Sequence, residues 1–112
     1  DIGNSAVAKG CTILGEVKNT VLSYGSSVAE GAQVSYSVVM PNAVIEAGAR
    51  VSYAIVGEGC HVGKNAVVGG TPGSVDFDHW GIAVLGPHTA VPDGGVVEPK
   101  MMLGANGKEV RP

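Results

Sequence analysis

A spacing constrains this chain more than any composition does. Aliphatic residues lead short words that repeat: Leu22-SYGSS, Val28-AEGAQ and Val34-SYSV; then Val39-MPNAV, Ile45-EAGAR and Val51-SYAI; then Val56-GEGCH, Val62-GKNAV and Val68-GG. Each line advances by six, six and five residues, a 17-residue period that holds from Leu22 to about Gly70. The pentads are near copies: Val17-KNT-Val21, Val34-SYS-Val38 and Val51-SYA-Ile55. In the hexads the fifth place is always small: Ser26, Ala32, Ala43, Ala49, Cys60 and Ala66. Self-similarity at a fixed short period marks a stacked architecture.

Six residues at about 3.3 Å each make a short strand and a turn. Three such sides bring the chain back over its own start, about 4.8 Å higher. The spacing therefore predicts three columns: Leu22 under Val39 under Val56, Val28 under Ile45 under Val62, and Val34 under Val51 under Val68. The small fifth residue must face inward near a corner, because so narrow a triangular prism has no room for more. Gly31, Gly48 and Gly59 suit the corners, where positive φ is cheap without a Cβ. The expected fold is all-β, a single-stranded parallel β-helix of hexapeptide repeats with about five coils. Composition agrees: 19 residues are Val and 18 are Gly, and only Tyr24, Tyr36, Tyr53, Phe77 and Trp80 carry aromatic rings. A conventional layered core of this size would use more rings to fill volume.

The phase extends in both directions. Upstream, Val7-AKGCT has the form of Val28-AEGAQ, and Ile13-LGE reads as a shortened side leading into Val17. Downstream, Leu85-GPHTA, Val91-PDGGV and Val97 restore the six-residue step. Residues 70–81 break it and hold Phe77 and Trp80, so they read as an inserted loop covering a flank or an interface. The β-helix is expected over 1–97, with 98–112 as a tail that folds over the last coil or frays. The chain opens on Asp1 already inside the repeat, which reads as a piece of a longer protein.

Net charge of -3 and a pI near 5.5 argue against nucleic acid or an anionic membrane as partner. The longest apolar runs are too short to span a bilayer. Two cysteines do not make a disulfide scaffold, and no secretory segment is visible, so the cytoplasm is the expected compartment.

The chemistry-bearing residues give little. Cys11 and Cys60 occupy the small inward place of a hexad, where Ala sits elsewhere, and read as buried thiols rather than ligands or nucleophiles. A zinc enzyme on such a prism needs three converging histidines, two of them close in sequence. Here His61, His79 and His88 lie 18 and 9 residues apart. An acyltransferase needs one histidine as general base, and His61, outward at its corner, keeps that alternative open. Gly57-EGCHV-Gly63 opens no helix, and Gly69-GTP-Gly73 lacks the lysine of a phosphate loop. Tyr36 and Tyr53 stand one coil apart above Asn19, either as an outward ladder stiffening a face or as a patch for another domain or subunit. Lys9, Lys18, Arg50, Lys64, Lys100, Lys108 and Arg111 are scattered, although one or two of them remain open as contacts for a phosphorylated effector. No catalytic, cofactor-binding or metal residue is assigned.

The linking words narrow the field. Residues 15–34, followed by Ser37-VVMPNAV-Ile45, Ala54-IVGE-Gly59 and the Trp80-GIAVL-Gly86 return, resemble the C-terminal β-helix of bacterial glucose-1-phosphate adenylyltransferase. The likeness covers roughly Ile2 to Val97. It implies a left-handed coil, against the usual right-handed crossover. It also implies a non-catalytic structural and regulatory domain, inactive alone. The nucleotidyltransferase part, with ATP and Mg²⁺, would lie in an N-terminal domain absent here and would make ADP-glucose for glycogen synthesis. That domain and further copies of the chain, in a homo-oligomer, are the implied partners. A stand-alone acyltransferase and the β-helix of another sugar-nucleotide synthase, such as an N-acetylglucosamine-1-phosphate uridyltransferase, are the alternatives.

Overall fold

The computed structural model describes residues 2–3, 5–69, 82–97, 102–104 and 109–110 of the chain. Every regular element among them is a short β-strand. The first coil holds β1 (Ile2–Gly3), β2 (Ala6–Val7) and β3 (Thr12–Ile13); the second holds β4 (Glu16–Lys18), β5 (Val21–Leu22) and β6 (Ser27–Val28). The third holds β7 (Gln33–Ser35), β8 (Val38–Val39) and β9 (Val44–Ile45), and the fourth β10 (Arg50–Ser52), β11 (Ala54–Val56) and β12 (His61–Val62). The fifth holds β13 (Val67–Gly69), β14 (Ala83–Leu85) and β15 (Ala90–Val91). After it come β16 (Val96–Val97), β17 (Met102–Leu103) and β18 (Glu109–Val110).

Strands three apart in order pair in parallel and build three walls. The first wall runs β1-β4-β7-β10-β13-β16, the second β2-β5-β8-β11-β14-β17-β18, and the third β3-β6-β9-β12-β15. Leu22 pairs with Val39 and Val39 with Val56. Val28, Ile45 and Val62 stack likewise, as do Val34, Val51 and Val68. All three expected columns are present. Their side chains, with the small residues Ala32, Ala43, Ala49, Cys60 and Ala66, are essentially inaccessible to solvent. Burial of these methyls supplies the driving force at roughly 25 cal/mol per Å² of apolar surface.

Departures from the 17-residue step fall where the pattern broke. Val7 stacks under Leu22, 15 residues on, so Val7-AKGCT belongs below Leu22-SYGSS and not in the Val28 column it resembles. The shortening lies between β3 and β4, where Leu14 and Gly15 alone make the turn that Ala29 to Ala32 make one coil higher. Higher up, Val68 pairs with Val97 at a step of 29, so twelve extra residues enter between β13 and β14. The expected inserted loop at 70–81, with Phe77, His79 and Trp80, lies outside the described residues. The segment expected as a tail adds two strands to the second wall: β17 continues the parallel stack and β18 returns antiparallel on it.

Every corner needs a residue in the left-handed region, and each finds one at a fixed place. The third residue of the pentad turns the corner from first to second wall: Asn19, Tyr36 and Tyr53, each at φ 50°. The fourth residue of the hexad turns the other two: Gly10, Gly25, Asn42, Gly59 and His88 on one edge, Gly31, Gly48, Asn65 and Gly94 on the other. For a residue with a Cβ this region costs about 1–2 kcal/mol. Asn bears the cost most easily, and tyrosine is an outlier there.

Candidate functional site

The two tyrosines are not a ladder on a sheet face. They sit at a corner, their rings parallel within 5° and 5.0 Å apart between centroids. What supports so unfavourable a backbone lies just inside it. The Thr20 hydroxyl donates to the Lys18 carbonyl at 2.8 Å, and the Ser37 hydroxyl donates to the Ser35 carbonyl at 2.8 Å, each bridging the left-handed residue. The same oxygens accept from the coil above: Ser37 N–H reaches Thr20 Oγ1 at 3.4 Å, and Ala54 N–H reaches Ser37 Oγ at 3.2 Å. Below, Thr20 N–H donates to Ser5 Oγ at 3.1 Å. A buried hydroxyl column therefore staples this edge. It ends at Ala54, which has no hydroxyl to offer the next coil.

A second column of small donors lines the corner after the second wall. Ser26 Oγ donates to the carbonyls of Ser23 and Met40 at 2.8 and 3.1 Å. Thr89 Oγ1 donates to Gly86 and Gly104 at 2.8 and 3.2 Å. Cys11 and Cys60 stand in the same place: Cys11 Sγ donates to the Ser23 carbonyl at 3.1 Å and Cys60 Sγ to that of Gly86 at 3.0 Å. The thiols are thus stand-ins for serine more than for alanine. Burial pushes the Cys60 thiol above its ordinary value, against smaller lowering by hydrogen bonds from Thr89, Gly57 and His88, so the neutral, unreactive form is favoured.

His61 lies in β12, mid-strand on the third wall, not at a corner. Its Nε2 pairs with Glu46 Oε2 at 2.8 Å while the imidazole stays half exposed, an arrangement worth at most about 1 kcal/mol. His88 is the histidine at a corner, and its ring folds over Gly59 of the coil beneath. Among the described residues no three His, Cys, Asp or Glu side chains converge as metal ligands would.

Charge is partitioned between the walls. Glu16, Lys18 and Arg50 are on the first wall, and Glu46 and His61 on the third. Lys9, Glu30, Glu58, Lys64 and Asp93 are at turns. Along the described second wall from Ala6 to Leu85 no strand carries a charged residue, and its outward side chains are Ala6, Val21, Val38, Ile55 and Val84. Val21, Val38, Ile55 and the adjoining Met40 are all exposed. Exposed apolar residues in a continuous row mark a surface built for contact.

Stacked parallel hexapeptide coils of this kind define a β-solenoid. The chain belongs to the GlmU-like, C-terminal hexapeptide family, whose pattern matches residues 1–82. Its similarity to named proteins is more specific. It is 36% identical over 100 residues to the glucose-1-phosphate adenylyltransferase of Desulfitobacterium hafniense, a match covering 86% of this chain and 24% of that protein. It is 39% identical over 99 residues to the enzyme of that name from Acetivibrio thermocellus, covering 83% and 23%. With that from Bacillus cytotoxicus it shares 40% over 96 residues, covering 86% and 18%. The chain thus spans about a quarter of the length of these relatives or less. No helix among the described residues is long and apolar enough to cross a membrane.

Proposed function

We propose that this chain is the structural, regulatory and oligomerisation domain of a cytoplasmic glucose-1-phosphate adenylyltransferase, inactive by itself. The parent enzyme would join ATP and glucose 1-phosphate into ADP-glucose, releasing pyrophosphate. One observation carries the reading: relatives of that name align with over four-fifths of this chain while it accounts for less than a quarter of theirs. ATP and Mg²⁺ would be handled by the remaining three-quarters, and the carboxylates described above have no part in holding the metal.

The chain's own contribution is mechanical. Buried hydroxyl and methyl columns hold the coil rigid, and the uncharged second wall offers an apolar face to the catalytic domain or to another subunit. Intact-mass measurement of the native polypeptide, with a pyrophosphate-release assay, tests the proposal. The expected result is a polypeptide about four times longer that turns over both substrates, beside a 112-residue chain that does not. A native polypeptide of this length alone, or acetyl transfer from acetyl-coenzyme A that is lost in His61→Ala, would establish the acyltransferase alternative instead.

A further inference from the structure

The short turn of the first coil leaves a recess that the other coils lack. A Cβ on Gly15 would stand 2.5 Å from the Ala32 carbonyl oxygen and 2.6 Å from that of Ala29, so the short turn is tucked directly against the longer one. Beside this overhang runs a depression of about 320 Å³ lined by Leu14, Gly15, Glu16, Gly31, Ala32 and Gln33. A second, of about 240 Å³, is lined by Glu16, Lys18, Gln33, Val34, Ser35 and Tyr36. Glu16 and Gln33 line both, so the two form one shallow channel across the first wall.

Strand register fixes its floor. Glu16 lies beside Gln33 and Lys18 beside Ser35, a grid of about 4.8 Å between strands and about 6.6 Å along them. An apolar group closes each end: Leu14, 66% exposed, and Tyr36, 48% exposed. One face of the Tyr36 ring is covered by Tyr53. The matching corner in the coil on its other side holds Asn19, which has no ring to stack, so that face opens toward the channel.

The charges decide the class of ligand. Glu16 and Lys18 form no ion pair with each other, and their charges cancel. An anion would gain from the ammonium and lose to the carboxylate. A neutral ligand bearing many hydroxyls uses both, donating to Glu16 and accepting from Lys18, with the Gln33 amide and Ser35 hydroxyl serving either way. An open aromatic face beside such groups accepts the C–H face of a sugar ring. We propose that this channel binds a short neutral oligosaccharide, one unit against Tyr36 and the next across Glu16 and Gln33. The assignment stands on these residues and does not depend on the activity of the parent enzyme.

The test is a titration of the isotope-labelled 112-residue chain, followed by amide chemical shifts, in separate arms with maltotriose, cellotriose and inorganic phosphate. Shifts confined to residues 14–18 and 33–36, saturating at about 1–10 mM with either sugar, are expected of so open a site. Tyr36→Asn should weaken binding about tenfold through loss of the ring face. It should leave the coil folded, since Asn19 already occupies the equivalent corner at the same φ of 50°. Gln33→Ala provides a second variant on exposed wall, away from any corner. Three results overturn the proposal: no shifts with either sugar at about 50 mM, shifts centred elsewhere, or phosphate moving the same amides.

Discussion

The corner between the first and second walls and the two glycine-rich corners solve one problem in different ways. Each must hold one left-handed residue per coil. The pentad corner accepts Asn19, Tyr36 and Tyr53 and supports them from inside with the hydroxyls of Thr20 and Ser37. The hexad corners mostly dispense with the side chain. Where they keep one, it folds over a glycine in the next coil: Asn42 over Gly25, Asn65 over Gly48, His88 over Gly59. Side chains at the first kind of corner are thus free to point outward and make a surface. At the second kind they are absorbed into the stack. This difference explains why exposed tyrosines gather on one edge only and why one wall beside it can be given over to contact.

Substitutions can break the contrast, beginning with the largest effect. Gly48→Ala adds a Cβ that meets both an unfavourable φ of 73° and the overlying Asn65 side chain, so a loss of about 2–4 kcal/mol is expected in urea unfolding. Gly31→Ala meets only the Gly48 nitrogen, 3.6 Å away, and should lose about 1 kcal/mol, the backbone cost alone. Equal losses would show that the folded-over side chain does not matter.

Ser37→Ala should cost about 1–3 kcal/mol, because it orphans the buried Ala54 N–H as well as removing the bridge to Ser35. Ser37→Thr, which copies Thr20, should restore the loss. If Ser37→Ala unfolds at the same urea concentration as the parent chain, the hydroxyl staple is not what holds the tyrosine corner.

A smaller effect, about 1 kcal/mol, is expected for Cys60→Ala, with Cys60→Ser close to neutral. The thiol also has a pH signature. Its folded value lies above the ordinary 9.0, so its contribution is intact below that value and declines as pH rises through the folded one. Alkaline unfolding should be less steep in Cys60→Ala, and a thiol reagent should label Cys11, only part-buried, well before Cys60.

The smallest change is expected for Tyr53→Asn. It gives up a ring stack of about 0.5–1.5 kcal/mol and regains about as much by relaxing the backbone. Stability within about 1 kcal/mol of the parent chain would confirm that the tyrosines serve the surface and not the fold.

The stack was legible because each coil repeats the same burial problem. Leading aliphatics and small fifth residues alternate with a period that only a triangular coil satisfies, and Leu22, Val39 and Val56 pair as the spacing requires. The corners were only half legible. Gly31, Gly48 and Gly59 signal positive φ directly, but tyrosine ordinarily avoids it, so the shared pentad place of Asn19, Tyr36 and Tyr53 was the one available clue. The hydroxyl staple was hidden for a related reason: serine and threonine are common enough that Thr20 and Ser37 reveal their role only through carbonyls one corner away. The recess was least visible, since it comes from two missing residues, and a deletion shows what overhangs it only once the next coil is in place.

Scalar couplings across hydrogen bonds, read by NMR on the labelled chain, test the stacked coil most directly. Amides in the regular region should couple to carbonyls 16 residues further on, as Gln33 to Ala49, Val44 to Cys60 and Arg50 to Ala66. The interval should contract to 14 in the first coil, Thr12 to Ser26, and lengthen to 28 across the insertion, His61 to Thr89. Couplings at other intervals, or reciprocal pairs running antiparallel between Gln33 and Ala66, would contradict the parallel coil and every assignment built on it.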